Sequence, residues 1–224
     1  MKVAILQFPG TNCEYDTVYA FKKLGADTEV VWHKEESLPA DTDLVVVAGG
    51  FSYGDYLRSG AIAKFSPIMK AVKEYANKGG KVLGICNGFQ VLTESRLLPG
   101  ALKRNDKLHF ISRHHHLKVV SNDNTFLEKL NVDDVVNVPI AHHDGNYYID
   151  EEGLKELYAN NQVLLKYTDA NGEISNPNGS VDSIAGICNK EKNVFGLMPH
   201  PERAMEVLLG SDDGVKMLEG FLSA

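Results

Sequence analysis

The chain has little of what would make it something other than an ordinary globular protein. Cysteine is scarce: Cys13, Cys86 and Cys188 are the three present in 224 residues. They are too few and too scattered for a disulfide framework, and their odd number fits reduced thiols. No CxxC pair or regular Cys/His spacing suggests a structural zinc site. No apolar run reaches the roughly 18 residues a membrane span requires. The opening stretch MKVAILQFPGTNC has one lysine and a short apolar core, so it reads as a first strand, not a signal peptide. Positive charge is also in deficit, with 23 Lys and Arg against 30 Asp and Glu, a formal net charge of −7. A general nucleic-acid binder would need basic surface to neutralise phosphates. The phosphate-loop pattern G-x-x-x-x-G-K-[ST] does not occur. These absences point to a soluble, cytoplasmic protein with neither a membrane nor a nucleic acid as partner.

What remains is a chain with 43% hydrophobic residues and an alternating pattern of apolar runs. KVAILQF reads as a strand, and Tyr15, Val18, Phe21 and Leu24 recur as a helix face, with Gly25 where that helix stops. TEVVW and DLVVVAGG are continuous apolar runs suited to a sheet covered on both faces. Ile68, Met69, Val72, Tyr75 and Ala76 mark a second helix closed by Gly79 and Gly80. KVLGIC is the next strand, with a helix expected through GFQVLTESRLL. This alternation predicts an α/β fold: a single doubly wound, flavodoxin-like domain over residues 1–224 with a mostly parallel central sheet. From about residue 101 to 200 the segments become strand-rich, with few helices, and DDGVKMLEGFLSA reads as a last amphipathic helix.

One pentapeptide carries chemistry. Gly84-Ile85-Cys86-Asn87-Gly88 has the spacing G-x-C-x-G, the thiol counterpart of a nucleophile elbow. A nucleophile on a sharp strand-to-helix turn adopts strained backbone, and flanking glycines remove side chains that would clash. The helix N-terminus favours negative charge on sulfur, and the Asn87 N–H would face an oxyanion forming on a substrate carbonyl. By itself the pentapeptide fits a buried structural cysteine equally well. A base is supplied by GLMPHPER, where His200 and Glu202 stand two apart around Pro201 at the end of another apolar strand. Glu202 would orient His200 towards Cys86, since strand ends of a parallel sheet gather in one crevice. VVVAGGFSYGD places Gly49 and Gly50 at a third strand end, and there the N–H of Phe51 is the expected second oxyanion donor, with Gly50 supplying freedom.

Cys86-Asn87-Gly88-Phe89-Gln90 resembles the C-x-G-x-Q motif of class I glutamine amidotransferases, and PHPE resembles their His-x-Glu signature. The glycine loop, elbow and His-Glu pair follow that family's order along the whole chain. FPGTNCEYD (8–16) and GGFSYGDYLRSGAIA (49–63) further resemble the glutaminase subunits that feed an ATP-dependent synthase of purine biosynthesis. The resemblance implies Cys86 as nucleophile, His200 as general base and acid, and Glu202 as its orienting carboxylate. It also implies contacts to glutamine and its oxyanion from Gln90 and from the backbone around Gly50, Phe51 and Asn87. It implies no metal and no cofactor in this chain, with ATP and Mg2+ on the partner synthase. L-glutamine, that synthase and a small accessory subunit are the implied partners. PIAHHDGNYY (139–148) falls at a substrate-contacting loop of the family, but departs from it at His143 and Asp144. Two other readings are an independent cysteine hydrolase or redox protein of the same superfamily, and a non-catalytic regulatory module. The first leaves Gln90 and the His-Pro-Glu segment without a reason, and the second leaves the intact Cys86, His200 and Glu202 without one. The three adjacent histidines of RHHHLKVV alternate faces in a strand and make a weak metal candidate.

Overall fold

The structure, a computed structural model, describes residues 1–222. The last two residues of the expected C-terminal helix lie outside them. The amino-terminal half runs β1 (Lys2–Gln7), α1 (Glu14–Lys23), β2 (Asp27–Trp32), β3 (Leu44–Val47), α2 (Ile68–Asn77), β4 (Lys81–Ile85) and α3 (Asn87–Glu94). The second half adds β5 (Ala101–Lys103), β6 (Ile111–Val119), β7 (Val135–His142), β8 (Asn146–Tyr148) and α4 (Glu151–Ala159). It closes with β9 (Val163–Thr168), β10 (Ile184–Cys188), β11 (Val194–Leu197) and α5 (Asp213–Glu219).

Nine strands form one sheet in the order β2-β1-β3-β4-β11-β10-β9-β6-β7, and β5 pairs with β8 separately. β2, β1, β3, β4 and β11 pair in parallel, whereas β11, β10, β9, β6 and β7 pair antiparallel. The expected parallel sheet is therefore the half that carries the first three βα units, and the strand-rich second half extends it with antiparallel strands. The switch has a simple cause: β10 and β11 are joined by a short turn in which Lys192 takes φ 55°, and a short turn can connect only antiparallel neighbours. Every residue of β3 is fully buried, as the unbroken Leu-Val-Val-Val run requires of a strand covered on both faces. Each such side chain contributes about 2 kcal/mol of burial.

Three local expectations change. α1 turns Glu14, Thr17, Ala20 and Phe21 inward, while Tyr15 is 69% exposed, so the buried face is rotated from the one read off Tyr15, Val18 and Leu24. α3 ends at Glu94, short of Leu98, because Arg96 takes φ 61° and ends the helical path. α4 was not anticipated. Asp150 caps it by accepting from the Gly153 N–H (2.8 Å), and the Asp-Glu-Glu start with Leu154 and Leu157 is its signal in the sequence.

Candidate active site

β3, β4 and β11 lie side by side and end at the same edge, so the segments that follow them meet. After β4 the chain turns sharply at Cys86, with φ 51° and ψ −107°, before entering α3. The Cys86 N–H is held by the Leu197 carbonyl of β11 (2.8 Å). The flanking glycines are required by close approach. A Cβ on Gly88 would lie 1.8 Å from the Val47 carbonyl oxygen, and one on Gly84 would lie 2.8 Å from the Gly88 backbone. The elbow is thus pressed between β3 and its own helix, which holds the strained cysteine in place. Its Sγ lies 3.6 Å from the Ala141 carbonyl oxygen.

Beyond β11, His200 is anchored by its own N–H to the Pro139 carbonyl of β7 (2.8 Å). Its Nδ1 lies 2.6 Å from Glu202 Oε1, and both side chains are buried. Burial alone would push the imidazole down, but the Glu202 carboxylate and the Cys86 sulfur outweigh it and hold His200 well above its ordinary value. With Nδ1 occupied, Nε2 is left buried and unbonded among the described residues. After β3, Gly49 sits at the centre of the cluster: a Cβ there would meet Cys13 Sγ and His200 Cε1 at 3.1 Å and Cys86 Cβ at 3.4 Å. Cys86, His200 and Glu202 are therefore brought together as the sequence predicts.

The glycine loop differs from expectation. The Phe51 N–H donates to the Gly10 carbonyl (2.9 Å), so that amide is already satisfied and does not point at Cys86. Gly50, at φ 144°, packs against the Gly10–Asn12 backbone and lines the crevice beside Cys86, and no acceptor meets its N–H among the described residues. Asn87 opens α3, where the first amides of a helix have no internal acceptor. Its side chain accepts from the Ser52 N–H (3.1 Å) and donates to Gln90 Oε1 (2.8 Å). Gln90 in turn donates to the Asp144 carbonyl (2.7 Å), so both ends of its amide are held by the protein. Gln90 does not line the crevice in this structure and braces α3 to the loop after β7 instead.

The crevice beside Cys86 has a volume of about 260 Å3. Cys86, His200, Gly50 and Phe51 line it together with Phe110, Ser112 and Ala141 and with Asn12, Cys13 and Arg203. Arg203 was not anticipated, and Cys13, which follows a Pro-Gly turn that could approach the crevice, was expected to serve packing or loop shape instead. Cys13 is buried, its pKa is raised chiefly by burial, and its Sγ accepts from Arg203 Nη2 (3.1 Å). Arg203 is fixed in turn by Asp16 (2.9 Å). FPGTNC, the stretch that ends at Cys13, was the available signal. Cys13, His200 and Glu202 also form the one group of three possible metal ligands within 4.8 Å of one another among the described residues. His200 and Glu202 already satisfy each other there through a hydrogen bond. Of the three histidines on β6, His115 turns inward to the Ser175 carbonyl (2.8 Å), while His114 is exposed, so they do not converge.

Two other stretches surround the site. His142 is buried with its Nδ1 3.1 Å from Asn105 Oδ1, and burial, with His200 nearby, pushes it down to about 4. Asp144 accepts from Ser59 (2.9 Å) and pairs with His143 (2.8 Å). Asp55 is pushed up to about 6, first by burial and then by Asp144. Tyr53, left unassigned by its sequence, joins its hydroxyl to His33 (2.8 Å) and Ser66 (2.9 Å), and Arg58 pairs with Glu94.

Residues 1–212 match a CobB/CobQ-like glutamine amidotransferase domain. The phosphoribosylformylglycinamidine synthase subunit PurQ of Sulfurimonas denitrificans is 79% identical over 224 residues, which is 100% of both chains. The same subunit of Campylobacter jejuni is 60% identical over 222 residues, 99% of this chain and 96% of the relative. A solved chain from PurLQS of Thermotoga maritima has a TM-score of 0.89 at 38% identity, covering 99% of this chain and 97% of that one. A glutamine amidotransferase from Thermotoga maritima, 19% identical with a TM-score of 0.56, covers 90% of this chain and 76% of its own and shares the fold.

Proposed function

The chain belongs to the CobB/CobQ-like glutamine amidotransferase family, and on that premise we propose that its crevice hydrolyses L-glutamine as the glutaminase subunit of phosphoribosylformylglycinamidine synthase. The ammonia goes to the synthase subunit, which uses it with ATP to convert formylglycinamide ribonucleotide to formylglycinamidine ribonucleotide. ATP and Mg2+ belong to that partner, and a small accessory subunit completes the assembly. The setting is cytoplasmic; no described helix is long and apolar enough to cross a membrane.

The observation that carries the reading is a strained cysteine at a helix N-terminus facing a buried His200–Glu202 pair at 2.6 Å. The Cys86 thiol passes its proton to His200 Nε2 as its sulfur attacks the side-chain amide carbon of glutamine, and charge develops on the amide oxygen. The amides of Gly50 and Asn87 receive that charge, in place of the Phe51 amide that Gly10 occupies. Protonated His200 gives its Nε2 proton to the departing nitrogen, and ammonia leaves a glutamyl thioester on Cys86. Water, deprotonated by the now neutral His200, opens the thioester to glutamate and restores the thiol. Glu202 holds the imidazole with Nδ1 protonated throughout.

A glutamine-like electrophile tests the assignment. It should label Cys86 and abolish glutamine hydrolysis, while Cys188, pushed up to about 12 by burial, and Cys13, raised by burial, stay unmodified. Labelling of Cys13 first, with activity lost, would reassign the nucleophile.

A further inference from the structure

Cys13 is a buried nucleophile that the proposed reaction leaves without a task. It closes FPGTNC, just before α1, and its backbone is laced to the end of β3. The Asn12 and Cys13 N–H groups both donate to the Gly49 carbonyl, at 3.3 and 3.2 Å. β3 pairs in parallel with β4, Val47 opposite Gly84, so Gly49 lies level with Cys86 where the two strands end. A Cβ on Gly49 would stand 3.1 Å from Cys13 Sγ and 3.4 Å from Cys86 Cβ, so a single methyl group would fill the gap between the two side chains. Because Gly49 has none, the two sulfurs share that space. Both cysteines also line the crevice, where a small solute reaches them.

The surroundings equip Cys13 to react. Its Sγ accepts from Arg203 Nη2 (3.1 Å), and the guanidinium supports negative charge on the sulfur. The same Sγ lies within 4.8 Å of a ring nitrogen of His200, the base that also serves Cys86. Burial raises the Cys13 thiol, and His200 and Arg203 act against that rise. Cys188, the remaining thiol, is buried in β10 and does not line the crevice.

We propose that Cys13 and Cys86 form a peroxide-sensitive thiol pair, in which Cys13 captures a sulfenic acid on Cys86 as a disulfide and reversibly stops glutamine hydrolysis. The proposal rests on Cys86 being the reactive thiol of the glutaminase reading. Cys86 gives its proton to His200, and its sulfur attacks one oxygen of hydrogen peroxide. The O–O bond breaks, the departing hydroxide takes the proton from His200 and leaves as water, and Cys86 carries a sulfenic acid. Cys13 then gives its proton to His200 while its sulfur attacks the Cys86 sulfur. The S–O bond breaks, and hydroxide leaves with that proton as a second water. The two thiols together lose two electrons, and the peroxide gains them. Without a neighbouring thiol, the sulfenic acid goes on to sulfinic and sulfonic acids that a dithiol does not reverse.

The test treats the full chain with hydrogen peroxide and then with dithiothreitol, as wild type, Cys13→Ser and Cys188→Ala. Intact mass, peptide maps and glutamine hydrolysis are read at each stage, each protein against its own untreated sample. Wild type should fall from three free thiols to one, yield a linked Cys13–Cys86 peptide and lose hydrolysis. Dithiothreitol should restore the thiols and the activity, and Cys188→Ala should yield the same linked peptide and the same recovery. Cys13→Ser should also lose hydrolysis to peroxide, but with oxygen added to Cys86, and dithiothreitol should recover less than about a tenth of its starting activity. The wild-type peptide map needs no variant, so the proposal is decided even if Cys13→Ser does not fold. Oxidation of Cys86 without the linked peptide, a link to Cys188 instead, or a Cys13→Ser chain that recovers as fully as wild type overturns the pair. Because the link is read by mass, a chain that forms it yet never hydrolysed glutamine refutes the glutaminase reading alone.

Discussion

Glu202→Gln separates orientation of the base from the chemistry at sulfur. The wild-type bond is 2.6 Å long between two buried side chains, so solvent does not weaken it. A hydrogen bond to a charged partner is worth about 1.5–3 kcal/mol net. Each 1.36 kcal/mol of barrier is about tenfold in rate, so losing the charge should slow turnover by about ten- to a hundredfold. If the new amide nitrogen faces Nδ1, it also forces the proton onto Nε2, the wrong tautomer for a base, and the loss moves towards the upper end. Cys86→Ala removes the nucleophile and should cost far more, towards the roughly 10^6-fold seen when a nucleophile is deleted from a triad.

The pH dependence offers an independent readout of the same change. Burial pushes His200 down and the Glu202 carboxylate leads the groups that hold it up. Without the carboxylate the acid limb of kcat/KM should move to lower pH. A His200 raised in the folded state stabilises the protein below its unfolded value of about 6.5 and loses that contribution as pH rises through the raised value. The gap in unfolding free energy between wild type and variant should therefore narrow with rising pH. The assay is ammonia release across pH, with urea melts on the same samples. Wild-type turnover in a folded variant, or an acid limb that moves upward, would refute the orienting role.

Gly49→Ala should keep the fold but lower turnover, because the new Cβ would stand 3.1 Å from His200 Cε1 and Cys13 Sγ and displace the base by a few tenths of an ångström; unchanged kcat would show slack in the cluster. His142, held down at about 4, binds its proton more readily when unfolded, so stability should fall as pH drops from about 6.5 through 4, by on the order of 3 kcal/mol. His142→Gln should flatten that loss in urea melts at a series of pH values, and an unchanged slope would assign it elsewhere. The chain alone should hydrolyse glutamine slowly, with a large rise when the synthase subunit and its nucleotide ligands are added; full-rate hydrolysis indifferent to them would revive an independent hydrolase.

The local motifs were legible because each is a short backbone device. Glycines at 84 and 88 report the close packing an elbow requires, and His200 with Glu202 across a proline reports a pair held on one side of extended chain. The βα alternation likewise announced β1 to α3, since apolar periodicity is a property of consecutive residues. Other features depend on segments far apart in the chain. The Phe51 amide is taken by Gly10, Gln90 is drawn to Asp144, and Cys13 with Arg203 joins the crevice, each through a partner from another loop. The pairing of β6 with β9, which sets β6 and β7 at the far edge of the sheet, was decided in the same way, by which strand edges met. A sequence specifies what a residue can do along its own backbone; which hydrogen-bonding group or thiol stands opposite it is set by packing, and only the tertiary structure assigns it.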